Sequence, residues 1–167
     1  MKHITVAQDI RSSKNKILWY DADGHLTSFN NVVNEIRKFE NIGCGIYIGT
    51  DSHSRDNSYQ FASTVCYHGM NYANYFYCRY KIDKVRFNNI KQRLFHEAHE
   101  TIELARLLKE EIDPLNVELH FDVNSQKKFK SYVVKETVTN YANSYNFKSK
   151  IKPDSWASSF LADRYAK

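Results

Sequence analysis

Two acidic residues stand where a β-favouring run of the sequence ends. Asp51 follows Gly49 and Thr50 after the run at 45 to 50, and Asp122 ends the run VELHFD. Carboxylates at the ends of neighbouring strands can project into one cleft, which is where α/β sheets place their ligands. Taken alone, Asp51 could equally be a turn residue that begins a hairpin.

A third acid, Glu97, lies inside the apolar sector of a long amphipathic helix predicted from Ile90 to about Ile112. The other acids of this segment are predicted on its solvated face: Glu100, Glu103 and Glu110. Burying an unpaired carboxylate costs several kcal/mol. An inward Glu97 therefore requires a cation beside it, either a metal ion or a buried Lys or Arg.

A fourth acid, Asp154, follows Pro153 and precedes the last predicted helix, where it could also serve as a helix N-cap. The interpretation depends on the whole set, because these acids can converge over one sheet edge. Clustered carboxylates repel one another unless divalent cations neutralise them, and oxygen ligands of this kind favour Mg2+ or Mn2+. The predicted metal ligands are Asp51, Glu97, Asp122 and Asp154.

The elements that must position these acids follow from the hydrophobic pattern. A helix from Phe29 to Glu40, preceded by Ser28 as a possible cap, leads into three β-favouring runs joined by short turns. The long helix, the strand NVELHFDV, a helix over KKFKSYVVKETVTNYANSY, the strand FKSKI and a terminal helix over PDSWASSFLADRYAK come next. The order β-β-β-α-β-α-β-α predicts an α/β fold with a mixed sheet covered by helices.

The chain length suits one domain, which we expect to span residues 29–167 after a lead-in segment at 1–28. The lead-in contains the turn sequence DADGH, but a calcium loop beginning at Asp21 would place Val32 where its bidentate Glu belongs. No apolar run approaches the roughly 18 residues that span a bilayer, and the N-terminus lacks a secretory signal. We therefore expect a cytoplasmic protein whose cysteines, Cys44, Cys66 and Cys78, are buried free thiols.

The net charge of +5 is clustered. From Asn124 onward nine basic residues stand against three acids, and a second basic stretch from Arg79 to Arg93 contains only one acid, Asp83. Two such segments could flank an anionic ligand, although a solvated surface is an equally good interpretation of a basic patch alone.

The sequence lacks the motifs of other classes of hydrolase. The sequence HEAHE at 96 to 100 spaces its histidines by three residues instead of the four of a zinc protease motif. His96 and His99 also fall on the predicted polar helix face, which favours exposed histidines over ligands. No nucleophile-elbow glycine pattern supports a serine or cysteine hydrolase.

The order of elements and the four acids resemble the ribonuclease H-like superfamily, and the sequence around the acids most resembles that of its YkuK-type family. The resembling segments are GTDSH at 49 to 53, RLFHE at 93 to 97, HFD at 120 to 122 and IKPDSWASSFLADRYAK at 151 to 167. The resemblance implies a ribonuclease H-like fold, a mixed five-stranded sheet with helices on both faces preceded by the helix at 29–40. It implies the same four acids as metal ligands, with Asp163 as an alternative to Asp154 for the fourth position.

The resemblance also implies a divalent-metal-dependent nuclease that hydrolyses RNA or DNA by a two-metal mechanism. His53 or His120 would position water or carry a proton. Five lysines would hold the phosphate backbone: Lys127, Lys128, Lys130, Lys150 and Lys152. The alternative is a non-catalytic nucleic-acid-binding module that uses the same fold and the basic patch.

Overall fold

The computed structural model describes residues 5–11 and 17–167. Its helices are α1 (Val6–Arg11), α2 (Phe29–Asn41), α3 (Ile90–Glu111), α4 (Lys135–Ser144) and α5 (Asp163–Ala166). Its strands are β1 (Trp19–Asp21), β2 (Leu26–Thr27), β3 (Gly45–Ser54), β4 (Ser58–Gly69), β5 (Tyr72–Asp83), β6 (Val117–Asn124) and β7 (Lys148–Lys152). Short 3-10 helices lie at Lys84–Arg86 and Lys130–Val134. A π-helical segment, Ala157–Ala162, runs directly into α5, and residues 157–166 are here called the terminal helix.

The strands of the described residues form one seven-stranded sheet in the order β2-β1-β5-β4-β3-β6-β7. β3, β4 and β5 form an antiparallel meander, whereas β6 pairs parallel with β3, and β7 parallel with β6. The connections between the parallel strands contain α3 and α4, as parallel pairing requires. The predicted α/β fold with a mixed sheet is therefore confirmed.

The sheet of the described residues has seven strands, two more than the five predicted, because the lead-in segment contributes β1 and β2. β1 pairs antiparallel with β5, and the sequence DADGH forms the turn of a hairpin between β1 and β2. Strands of three and two residues are too short to show the two-residue alternation on which the prediction depended. Residues 1–4 and 12–16 of the predicted lead-in lie outside the described residues.

The hydrophobic core lies on the sheet face that α2, α3 and α4 cover, while the terminal helix crosses the opposite face. The helix α2 begins where the sequence predicts, and the Oγ of Ser28 accepts a hydrogen bond from the amide of Asn31 at 3.1 Å. The three cysteines are free and buried, as predicted. Helices therefore cover both faces of the sheet.

The predicted solvated face of α3 is partly buried, which corrects the sequence interpretation. Glu100 is 1 % exposed and Glu103 is 9 % exposed, because α1 packs against this side of α3. The amide of Val6 donates a hydrogen bond of 2.9 Å to Glu100 Oε2, and burial raises the pKa of Glu100 to about 8. His96, also predicted to be exposed, packs edge-on against the ring of Phe61. Periodicity within α3 cannot show which distant segment covers that helix.

Candidate metal centre

Asp51 and Asp122 lie where two parallel strands separate. The parallel pairing of β3 with β6 ends at Thr50 opposite Phe121, so these acids are the next residue on each strand. β3 stays paired with β4 beyond this point, whereas β6 shifts its register against β7. The two carboxylates therefore border a gap in the sheet, as expected for ligands at strand ends.

Glu97 approaches the same gap from α3. It is 5 % exposed, and its Oε1 accepts a hydrogen bond of 2.5 Å from the Oγ of Ser52. Arg93, one helical turn earlier, donates to the carbonyl oxygen and to the Oγ of Ser52, both at 3.2 Å. Ser52 thus ties the strand that carries Asp51 to the helix that carries Glu97.

Burial and neighbouring negative charges raise the pKa values of two of these carboxylates. Burial raises the pKa of Asp51 to about 7, and the charges of Asp122 and Asp163 add to this effect. Burial also raises the pKa of Glu97 well above its ordinary value, and the charge of Asp51 adds to it. The amide of Ser52, which donates to Asp51 Oδ1 at 2.8 Å, acts in the opposite direction. Buried acids that repel one another form a site that a divalent cation stabilises.

The fourth acid has two candidates in different surroundings. Asp154 is exposed in the turn after β7, where its amide donates to the carbonyl of Ile151 at 2.9 Å, and its charge acts on His120. Asp163 is half-buried at the start of α5, and its charge acts on Asp51. The charge of Asp163 therefore reaches Asp51, while the Asp163 carboxylate is also ion-paired with Lys167.

The terminal helix reaches Asp51 because its backbone lies directly against β3. A Cβ atom on Gly49 would lie only 2.5 Å from the amide nitrogen of Ser158, so this approach requires glycine. Thr64 Oγ1 donates a hydrogen bond of 3.0 Å to the carbonyl of Ala157. These contacts fix the helix that positions Asp163.

His120 holds the same helix from β6. Its Nδ1 accepts a hydrogen bond of 3.0 Å from the amide of Ala157, so its Nε2 carries the proton and donates to Glu118 Oε1 at 3.0 Å. Burial lowers the pKa of His120, in keeping with a neutral ring. Both ring nitrogens are engaged, which favours a positioning role over proton transfer. His53 is exposed two residues beyond Asp51, where its ring can contact water.

The predicted phosphate-binding lysines fall in two places. Lys127, Lys128 and Lys130 are exposed between β6 and α4, beside a groove of about 610 Å3. Lys150 and Lys152 lie on β7. The Nζ of Lys152 pairs with Asp122 Oδ1 at 2.7 Å, and its side chain also lines a second groove, of about 450 Å3, between β7 and the terminal helix. Lys152 therefore connects the acids to the basic surface.

A different trio of residues already has converging ligand atoms. Among the described residues, only Asp21, Asp23 and His25 have three carboxylate or imidazole atoms within 4.8 Å of one another, whereas the acids at the gap do not meet this limit. Asp21 Oδ1 accepts hydrogen bonds from the amides of Asp23 (3.0 Å) and His25 (2.8 Å) in the turn between β1 and β2. Such bonds are typical of an Asx turn, which accounts for the convergence.

Comparison with protein-family models matches residues 27–167 to the family described as Ribonuclease H-like. The chain belongs to the ribonuclease H-like family. This confirms the resemblance predicted from the sequence, and the matched part of the ribonuclease H-like chain contains β3 to β7 and the acids at the gap. Comparison with curated proteins found no match. None of the helices in residues 5–11 and 17–167 has the length and apolar character needed to cross a membrane.

Sequence reasoning missed the side chains that hold the acids of this ribonuclease H-like domain in place. Ser52 points to the α3 face because it follows Asp51 in a strand, and only the fold shows that Glu97 lies there. Arg93, within the resembling segment RLFHE, could have been predicted as a partner of Glu97, because a buried Glu requires a nearby cation. Lys152 was predicted to bind phosphate, and its contact with Asp122 depends on the pairing of β6 with β7.

Proposed function

We propose that this ribonuclease H-like chain is a divalent-metal-dependent nuclease that hydrolyses phosphodiester bonds in RNA or DNA. One observation carries the proposal: Asp51 and Glu97 are buried together beside Asp122, where β3 and β6 separate. The family match supports it, because ribonuclease H-like domains generally bind nucleic acid. A purely structural role would leave this costly group of acids without a purpose.

The donor set fits Mg2+ or Mn2+. The ligands would be the carboxylates of Asp51, Glu97, Asp122 and Asp163, and hard divalent cations prefer such oxygen donors. We prefer Asp163 to Asp154 as the fourth ligand, because the charge of Asp163 acts on Asp51. When bound, two such ions would activate the attacking water and stabilise the leaving oxygen.

The side chains around the acids have separate tasks in this proposal. Ser52 and Arg93 hold Glu97 in place by hydrogen bonding and charge. His53, exposed beside Asp51, positions water, while His120 keeps the terminal helix against the sheet. The exposed lysines between β6 and α4, together with Lys150, bind the phosphate backbone, which makes binding sensitive to salt.

A non-catalytic nucleic-acid-binding module is the second candidate, and the ion pair between Lys152 and Asp122 favours it. The Lys152 ammonium group neutralises one of the acids at 2.7 Å without any metal ion. In the nuclease, Lys152 would instead turn toward a substrate phosphate. Metal binding by the wild type therefore separates the two candidates: the nuclease binds Mg2+ and releases Lys152 from Asp122, whereas the module keeps this ion pair and binds no Mg2+.

The decisive experiment is a titration of Mg2+ or Mn2+ with labelled single strands, duplexes, RNA–DNA hybrids and branched DNA. We expect metal-dependent cleavage that Asp51→Asn and Asp122→Asn abolish while binding persists. Asp113→Asn, at an exposed acid beyond the far end of α3, is the matched control and should cleave like the wild type. Cleavage retained in Asp51→Asn refutes the assignment, and salt-sensitive binding without cleavage favours the module.

A further inference from the structure

The sheet face that carries Asp51 continues across β4 and β5. The pairing register puts Arg79 in the same cross-strand row as Asp51, two strands away, and Lys81 in the same row as His53. Because alternate residues of a strand share a face, the side chains of these rows lie on one side of the sheet. The terminal helix covers the preceding row, where Tyr165 stacks on Tyr77 with ring centroids 3.7 Å apart.

Arg79 and Lys81 are exposed, and neither forms a salt bridge with any residue in the described ranges. They line a groove of about 360 Å3 together with Gln60, Tyr80, Leu18 and Tyr20. Leu18 is 47 % exposed. The groove thus offers two cations without a salt-bridge partner beside an apolar side chain and two tyrosines, of which Tyr20 stacks one face of its ring on Tyr77 with centroids 5.3 Å apart.

These features match the chemistry of a single nucleic-acid strand. Unpaired cations bind phosphates, and an aromatic ring on an open sheet accepts an unstacked base. Two strand spacings place Arg79 about 10 Å from Asp51, a distance of only a few nucleotides along a single strand. A nucleic-acid strand whose scissile phosphate lies at the acids would therefore reach this groove.

We propose that Tyr20, Arg79 and Lys81 bind a single-stranded segment of the nucleic-acid substrate on the β5 side of the candidate metal centre. This inference rests on the proposed function and names the form of its substrate. The lysines between β6 and α4 lie on the other side of the acids, because β3 stands between β4 and β6 in the sheet. The bound strand thus crosses the acids between two basic surfaces.

Binding without metal tests this surface separately from catalysis. Fluorescence anisotropy with labelled 20-nucleotide DNA and RNA, in EDTA, measures affinity while no metal-dependent cleavage can occur. Loss of two phosphate contacts in Arg79→Ala/Lys81→Ala should weaken single-strand binding about 25-fold at 0.1 M salt and reduce the salt slope by about 1.4. Arg79→Lys/Lys81→Arg retains both charges and should bind like the wild type.

The matched control is Lys38→Ala/Lys109→Ala, which removes two exposed charges from α2 and α3 on the opposite side of the sheet. Tyr20→Ala should weaken binding at least fivefold and Tyr20→Phe should not, because the phenyl ring still stacks. Thermal unfolding verifies that each variant is folded.

Wild-type affinity of Arg79→Ala/Lys81→Ala, or an equal loss in the control, overturns the inference. An equal loss for duplex and single-strand binding overturns the assignment to a single strand. Absence of cleavage in every metal, with binding that still depends on Arg79 and Lys81, refutes the nuclease and leaves this surface in place.

Discussion

The raised pKa of Asp51 predicts that the metal-free protein loses stability as the pH rises. Its pKa is about 7 in the fold, against an ordinary value of 3.8. The unfolded chain therefore loses this proton first, and stability falls between about pH 4 and about pH 7. At about 1.36 kcal/mol per pKa unit, the raised pKa of Asp51 costs the fold about 2 kcal/mol at pH 5 and about 4 kcal/mol at pH 8, relative to an Asp with an ordinary pKa.

Asp51→Asn removes this cost. The amide oxygen of asparagine can still accept the hydrogen bond that Ser52 donates to Asp51 Oδ1 at 2.8 Å. In EDTA at pH 8, we expect the free energy of unfolding to rise by about 4 kcal/mol and the Tm by about 10 °C. At pH 5 the gain should be about half as large.

Urea and thermal unfolding at both pH values, with and without Mg2+, provide the assay. Saturating Mg2+ at pH 8 should stabilise the wild type and leave Asp51→Asn unchanged, since only a folded site binds the ion. Asp113→Asn should behave like the wild type throughout. Lower stability of Asp51→Asn than of the wild type at pH 8 in EDTA, or equal stabilisation of both proteins by Mg2+, would contradict these expectations.

Three further predictions concern the supports of the site and the core. Gly49→Ala should lose about 1–3 kcal/mol of stability in urea unfolding, because its Cβ would lie 2.5 Å from the amide nitrogen of Ser158; unchanged stability would contradict the close approach. Glu100→Gln should be more stable than the wild type at pH 9 in thermal unfolding, because the wild-type carboxyl has a pKa of about 8 in the fold and its ionisation opposes folding; an equal Tm at pH 9 would show that burial does not penalise this charge. Burial raises the pKa of the Cys66 thiol to about 12, so the three buried thiols should resist an aromatic disulfide reagent until the protein unfolds; fast labelling of the native protein would disprove their burial.

The parts of the fold that were predictable are those with a long and regular pattern. The helices α2 and α3 show hydrophobic residues at helical spacing, and the alternation of strands with helices after β5 determines the parallel pairing. The inward position of Glu97 follows from the same spacing, because it is surrounded by apolar neighbours within α3. Local periodicity therefore predicts which side of a single helix or strand faces the core.

The rest depends on contacts between distant segments. Glu100 is buried because α1 packs against it. The hydrogen bond between these segments joins Val6 to Glu100, which are 94 residues apart in the sequence. The preference for Asp163 follows from the path of the terminal helix, which Gly49 allows to lie against β3. Neither contact leaves a periodic signal in the sequence, so both required the packed structure.

The most direct test is to locate bound Mn2+ by anomalous diffraction from crystals soaked in manganese chloride. We predict anomalous density in the gap between β3 and β6, in contact with the carboxylates of Asp51 and Asp122. Mn2+ bound only at Asp21, Asp23 and His25, or no bound Mn2+ at all, would contradict a metal centre formed by the buried acids.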